Sequence, residues 1–373
     1  MKRIAIVAST YRALSDAQHI GDRFLVGYPR DGAWHRPDMT VVSLYVEQPS
    51  SSTGDQSAAR AKEFGFEVYP TVAHALRVGG SKLAVDAVIV VGDFAKQCVE
   101  VFEADRAAVP VSFQQLSPGF AKAKWVVDAS RRLKFPLLAG SALPVTRRLP
   151  DLDLPLNADI ESALVVGYGE TDAMAFQALD ALQCMVERRK GGETGVTSVQ
   201  MVEGDAVWAA GDAGRYSKDL LVSALSRSDS PLGPPIVDGR TRDLVGRGDL
   251  PTLVKNPAAY FIEYRDGLKA TCLMLTGGVK DFTFAARVKG GGVQSTQFFM
   301  APPPNLTHTE CLVRKIEELF ETRKAPYPVE RALLAAGILE NGLASKAADQ
   351  KTRRTPELDV RYRAPQQSQH ARM

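Results

Sequence analysis

The feature that most restricts the fold of this sequence is the alternation of β-branched runs with helical segments over the first 140 residues. Strands are predicted at 3–8, 39–46, 66–69, 84–91, 109–113 and 135–139, with helical patterns between them. Parallel strands need crossover connections, and helices in those connections cover both faces of a sheet. The pattern therefore predicts an α/β fold with a doubly wound, Rossmann-like parallel sheet.

The rhythm changes after a Pro- and Asp-rich stretch at 143–156, and residues 1–145 are predicted to form the first domain. Further on, Arg265-Asp266-Gly267 separates two apolar runs, which is typical of a β-hairpin. Residues 146–347 are predicted to form an α+β domain on a mostly antiparallel sheet. The tail at 348–373 is rich in Gln and Arg and is predicted to be disordered.

Composition restricts the class of protein. Lys and Arg number 46 against 43 Asp and Glu, so the net charge of +3 gives no electrostatic footprint for nucleic acid. No window approaches the roughly 20 continuous apolar residues of a membrane span, and the N-terminal apolar stretch ends too early for a signal peptide. The four cysteines are far apart, without metal-ligand spacing. These observations predict a cytoplasmic protein without a membrane segment, a disulfide framework or a zinc site.

Ligands of an open parallel sheet bind beyond the carboxyl ends of its strands. The candidate ligand-binding residues there are Ser9, Thr10, Tyr11, Glu47, Gly92 and Asp93. A dinucleotide fingerprint would place glycines in the first turn, where the backbone approaches the phosphates. This turn, at 9–15, has no glycine, and Tyr11 narrows the space. A phosphate site and an ordinary helix start capped by Ser15 both fit the turn.

Four further stretches carry a resemblance to a known family. They are 3–7 at the start, 85–90 with its D-x-V pattern, Val109-Pro110-Val111, and 326–331 before a late helix. On these residues the sequence resembles, as a divergent member, the glucose-fructose oxidoreductase, inositol dehydrogenase and MocA family, over roughly residues 1 to 362. The resemblance implies oxidation or reduction of a sugar or cyclitol hydroxyl with NAD or NADP. It also implies a homo-oligomer formed through the sheet of the C-terminal domain.

The sequence departs from the family pattern at both proton-transfer positions. The lysine of the family's E-K-P turn corresponds to Gln114, and the histidine of the second domain corresponds to Gln177, while Asp172 keeps the carboxylate. Glutamine donates a hydrogen bond but relays no proton. Lys255, just before an apolar strand, is a candidate replacement for the missing lysine.

Three of the candidates have a second interpretation. Glu47 ends the second long strand, where it would bind the ribose hydroxyls of NAD or lie solvated. No Arg follows it directly, which favours NAD over NADP. His19 is either an acid–base group or a hydrogen-bonded structural histidine. Asp172 is either a proton acceptor or a helix N-cap.

The leading hypothesis is an NAD(P)-linked oxidoreductase acting on a polyol, a sugar-like compound or another hydroxyl or ketone substrate. The first alternative is a catalytically silent relative that binds a metabolite or an active paralogue, because both glutamines occur together with the glycine-free turn. The second alternative is a non-redox lyase or isomerase that uses the same cleft, with Asp172 or His19 as the base.

Overall fold

The β-branched runs of the first third form one six-stranded sheet in the computed structural model, which describes residues 1–47, 54–116, 119–229, 243–302 and 306–372. The chain divides into two units, Met1–Ala142 with Ala301–Leu333, and Leu143–Met300 with Leu334–Met373. The first unit contains the strands β1 (Lys2–Ala8), β2 (Tyr28–Arg30), β3 (Ala33–His35), β4 (Met39–Val46), β5 (Glu67–Tyr69), β6 (Ala87–Val91), β7 (Val111–Phe113) and β8 (Leu137–Ala139). Its helices are α1 (Asp16–Leu25), α2 (Ser57–Phe64), α3 (Val72–Arg77), α4 (Ala95–Asp105), α5 (Phe120–Leu133) and α10 (Thr307–Thr322).

The strand order of the first sheet is β5-β4-β1-β6-β7-β8, and all neighbours are parallel. The predicted Rossmann-like sheet is confirmed. The central strands β1 and β6 are buried almost throughout, because helices cover both faces of the sheet. Strands buried on both faces are continuously apolar in sequence, as residues 4–8 of β1 and all of β6 are. A short hairpin, β2–β3, is added between α1 and β4.

The first unit also includes α10, which the sequence analysis assigned to the second domain. Phe320 of α10 packs against Phe24 of α1 with ring centroids 6.4 Å apart. The hydroxyl of Tyr28 donates to buried Glu317 Oε1 at 2.7 Å. These contacts join residues nearly 300 positions apart. The position of α10 in the sequence therefore does not indicate the unit to which it belongs.

The second unit contains an eight-stranded sheet. Its strands are β9 (Arg148–Leu149), β10 (Ile160–Gly167), β11 (Val196–Glu203), β12 (Ala258–Tyr264), β13 (Lys269–Met274), β14 (Phe282–Val288), β15 (Gly292–Phe298) and β16 (Arg353–Arg354). The helices following these strands are α6 (Ala173–Val186), α7 (Asp205–Asp212), α8 (Lys218–Leu225) and α9 (Leu250–Leu253), and α11 (Glu330–Ala347) runs from the first unit into the second. The order is β16-β11-β12-β13-β10-β14-β15-β9, and only β10–β13 is parallel. The predicted mostly antiparallel sheet is confirmed.

Helices cover both faces of the central strands of this sheet. On one face Tyr260 and Tyr264 of β12 donate hydrogen bonds to Thr171 O, beside the start of α6, and to Gln183 of α6. On the other, Phe261 of β12 belongs to a buried apolar cluster with residues of α7, α8 and α9. Self-association through this sheet remains a prediction. A second copy of the chain would have to bind the part of the sheet that these helices do not cover.

The C-terminal tail differs from the predicted disorder. Its strand β16 pairs with β11, and Leu358 is fully buried. The hydroxyl of Tyr362 donates to Glu187 Oε2 at 2.9 Å, and the His370 ring lies 2.5 Å from Asp151 Oδ1. A few side chains, Leu358, Tyr362 and His370, attach this polar segment to the second unit. The average composition of the segment does not show these individual contacts.

Candidate functional site

The carboxyl edge of the parallel sheet brings together most of the predicted ligand-binding residues. The amide of Ser9 donates to the last residue of β6 at 3.0 Å, and the amide of Glu47 donates to the last residue of β1 at 3.0 Å. The amide of Gln114 donates to β6 at 3.2 Å. Glu47 is exposed at this edge, and Gln114 is half-buried there.

Tyr11 does not line this edge with its side chain. Its residue is 1% exposed, and its ring packs between β1 and α1. A methyl group added to Gly21 of α1 would lie 2.6 Å from the Tyr11 hydroxyl oxygen and 3.2 Å from Ile6 Cδ1. The ring therefore fills the space between the first strand and the first helix. It fits there because Gly21 has no side chain.

Asp22 fixes the Tyr11 hydroxyl in this position. The hydroxyl donates to Asp22 Oδ1 at 2.9 Å, and burial, followed by the nearby Asp22 charge, raises the pKa of Tyr11. Arg60 of α2 donates two hydrogen bonds to the same carboxylate, at 3.1 and 3.0 Å. Gln18 adds a fourth at 2.6 Å. This network holds the tyrosine as a structural group.

The turn after β1 is also joined to the segment before α2. The amide of Gln56 donates to the Tyr11 carbonyl at 2.8 Å, and Arg12 pairs with Asp55 as an antiparallel bridge. The backbone of Arg12 thereby ties the two connections together.

The start of α1 is capped from within. Ser15 Oγ accepts hydrogen bonds from the amides of Gln18 at 3.3 Å and Arg12 at 3.2 Å, which confirms the cap interpretation of this serine. Asp16 adds a carboxylate to the first turn. A dinucleotide diphosphate needs free amides and positive potential at this helix end. Here Ser15 occupies the amide of Gln18 and Asp16 adds a negative charge, and both features disfavour a diphosphate at this helix end.

The edge beside β6 carries an ion pair that the sequence analysis missed. Lys122 Nζ of α5 lies 2.6 Å from Asp93 Oδ2, and both side chains are about half exposed. Phe94 covers Gly92, since a methyl group there would lie 2.8 Å from the phenyl ring. The available signal was that α5 begins at the same sheet edge, which places its first turn near the end of β6.

His19 lies away from this edge, on the side of α1 that faces α10. The residue is 6% exposed, and burial, followed by the nearby Arg23 charge, lowers its pKa. Arg23 donates to the His19 carbonyl at 2.6 Å and to Leu306 O at 3.2 Å. Among the described residues, His19 Nε2 has no hydrogen-bond partner. This environment favours a neutral, buried imidazole.

The two candidates of the second unit lie at the start of α6. Asp172 is exposed, and its Oδ1 accepts from the amide of Ala173 at 2.5 Å, so it caps the helix. Gln177 is half-buried, and its amide lies 3.5 Å from Met174 Sδ. Tyr260, which the sequence analysis did not select, donates to Thr171 O at 2.5 Å and helps to hold this helix end. Lys255 is exposed and forms no ion pair with any described residue.

Within the described ranges no cluster of His, Cys, Asp or Glu side chains is arranged to hold a metal ion. The same ranges contain no helix with the length and apolar character needed to cross a membrane.

No model of a known protein family matches the chain, and no curated protein matches it in sequence. Solved structures do match over nearly its full length. One is the crystal structure of GenD2 from gentamicin A biosynthesis in complex with NAD, with 12% identity, a TM-score of 0.60, and 95% of this chain and 96% of that chain covered. A second is myo-inositol dehydrogenase from Lactobacillus casei in complex with NAD(H) and myo-inositol, with 12% identity, a TM-score of 0.57 and the same coverage.

A third is UDP-N-acetylglucosamine 3-dehydrogenase GnnA from Acidithiobacillus ferrooxidans, with 11% identity, a TM-score of 0.52, and 94% of this chain and 99% of that chain covered. At these identities a match establishes a shared fold and no more. The resemblance seen in the sequence is confirmed at that level: this chain has the fold of the inositol and sugar dehydrogenases of the glucose-fructose oxidoreductase, inositol dehydrogenase and MocA type.

Proposed function

We propose that the chain is a catalytically silent relative of these dehydrogenases, which binds a hydroxyl-rich small molecule without transferring hydride. The observation that supports this proposal most strongly is the turn after β1. That turn has no glycine, and the helix that follows it starts with the Ser15 cap and the Asp16 carboxylate. A diphosphate there would meet a like charge and a hydrogen-bonded amide.

The proton-transfer positions support the same proposal. Gln114 at the sheet edge and Gln177 at α6 replace groups that would move a proton, and an amide can only hydrogen-bond. Asp172 is engaged as a cap on one oxygen, which leaves the other for a hydroxyl. Amide and carboxylate groups of this kind suit a polyol, and one of the neighbouring folds was solved with myo-inositol.

Isothermal titration calorimetry tests the proposal with NAD⁺, NADH, NADP⁺, NADPH and myo-inositol, each titrated into the full chain. We expect no saturable heat from any nicotinamide cofactor at about 1 mM. The double variant Gln114→Lys with Gln177→His should remain inactive in a 340 nm absorbance assay, because the diphosphate position is unchanged. Gln115→Lys is the matched control for the added charge. Saturable cofactor binding, or turnover by the unmodified chain, would overturn the proposal.

A second candidate is the NAD(P)-linked oxidoreductase, with NAD favoured over NADP. Two observations favour it. Glu47 is exposed beside the end of β1, where its carboxylate would accept hydrogen bonds from ribose hydroxyls, and Lys122, paired with Asp93, places an amino group at the same edge. Two of the neighbouring structures were solved with NAD or NAD(H). The same titration decides, since this candidate requires cofactor binding that Glu47→Ala weakens. The lyase or isomerase alternative is less supported, because His19 is buried against α10 and Asp172 is a cap.

A further inference from the structure

A polar cavity lies in the second unit, on the sheet formed by β11, β12 and β13. Its volume is about 370 Å³, within the range of small-molecule sites, which is about 300 to 1,000 Å³. Strand residues form its floor, Gly214 and Arg215 of the α7–α8 connection form one wall, and Thr352 of the C-terminal tail closes another. None of these residues belongs to the edge of the parallel sheet or to α6, so a ligand bound here is independent of the proposed function.

Two cations at this cavity are not engaged in ion pairs. Arg215 and Lys269 are exposed, and neither forms an ion pair with any described residue. The guanidinium of Arg215 lies over the Phe261 ring, 4.0 Å from its centroid, so it is held in place without a carboxylate. Stacking of this kind orients the planar group and leaves its N–H donors in the ring plane free for an anion.

One carboxylate is present, and it is engaged elsewhere. Glu263 is the register partner of Lys269 on the neighbouring strand, yet the two charged groups form no ion pair. Glu263 Oε2 instead accepts from Ser198 Oγ at 3.2 Å. The charge around the cavity is therefore positive by one, from two cations and one anion.

The rest of the lining suits hydroxyl groups. Thr271 lies on the floor, and Thr352 Oγ1 donates to Gln200 Oε1 at 3.2 Å. Neutral hydroxyl and amide groups both donate and accept, which matches a polyhydroxylated skeleton. We propose that this cavity binds a small anion on a polyhydroxylated skeleton, with Arg215 and Lys269 holding the charged group.

Calorimetry at constant ionic strength tests this with D-gluconate and D-glucose 6-phosphate as carboxylate and phosphate probes, and with sorbitol as the neutral one. We expect one of the two anions to bind the full chain at least tenfold more tightly than sorbitol, and the preferred anion identifies the charged group. Failure of both anions to bind at 10 mM, about the weakest useful affinity, or equal binding of sorbitol, overturns the proposal.

Variants assign the binding to this cavity. Lys269→Gln and Arg215→Gln should each weaken the preferred anion by about tenfold or more, since each removes a charge-assisted hydrogen bond. Glu263→Gln should strengthen it by about threefold, because a repulsive charge is removed. Lys218→Gln, on α8 and outside the lining, is the matched control and should leave binding unchanged. A gain for Glu263→Gln cannot come from damaged folding. Binding that none of the three lining variants alters overturns the assignment.

Discussion

The position of the Tyr11 ring between β1 and α1 can be tested with Gly21→Ala, which adds one methyl group beside the ring. In a helix interior Gly→Ala is normally stabilising by about 0.8–1.0 kcal/mol. Here the methyl carbon would lie 2.6 Å from the Tyr11 hydroxyl oxygen and 3.0 Å from Cε2, and overpacking of a filled core costs about 1–3 kcal/mol. We expect Gly21→Ala to lower the free energy of unfolding of the first unit by about 1 kcal/mol.

The double variant separates crowding from other effects. Tyr11→Phe removes the hydroxyl and its bond to Asp22, which costs about 1.5 kcal/mol because Asp22 keeps three other hydrogen bonds. With the hydroxyl gone, Gly21→Ala should cost less, which gives a coupling free energy of about 0.5–1 kcal/mol. Gly119→Ala, at the N-cap of α5, is the control for adding a methyl group without crowding, since a methyl group there meets nothing within 4 Å.

Urea denaturation measures these differences. Trp34 and Trp125 lie in the first unit and Trp208 in the second, so tryptophan fluorescence in a Trp208→Phe background reports on the first unit. A stabilising Gly21→Ala, or additive effects of the two substitutions, would refute the placement of Tyr11 between β1 and α1.

Three further outcomes follow from the structure. Asp172→Ala should lower stability by about 1 kcal/mol while Asp172→Asn stays near neutral in thermal denaturation, because a cap needs only an oxygen acceptor; equal losses contradict the cap. Burial, followed by the nearby Arg23 charge, lowers the pKa of His308 to about 4, so the unfolded chain binds a proton below pH 6.5 that the folded chain takes up only near pH 4. The free energy of unfolding, measured by urea titration, should therefore decrease as the pH is lowered from 6.5 to 4, and His308→Gln should make this decrease smaller. Burial raises the pKa of the Cys98 thiol to about 12, so iodoacetamide at pH 8 should label it only in denaturant, as mass spectrometry would show.

The sequence predicted what local patterns determine. The parallel sheet followed from β-branched runs such as β6, which is buried along its whole length and therefore reads as continuously apolar. The cap interpretations of Ser15 and Asp172 were accessible for the same reason, because a cap depends on neighbours in the chain.

The rest depended on contacts between distant residues. Nothing near Phe320 indicates that its partner is Phe24, so the order of elements along the chain does not reveal that α10 groups with the first unit. The direction of the Tyr11 ring was equally inaccessible, although one signal was present. A glycine inside a helix, as at 21, is unfavourable unless something packs closely against it.

The return of α10 to the first unit has a consequence for biosynthesis. The hairpin at 28–35 and α1 receive their partners Glu317 and Phe320 only after more than 300 residues have been translated. Until then the apolar surface of α1 around Phe24 stays exposed in the nascent chain. Exposed apolar surface of this kind promotes aggregation, and chaperones bind it. For the same reason a fragment ending near residue 142 would lack its last helix, and the first unit could be produced as one continuous piece only by joining 301–333 to it through a linker.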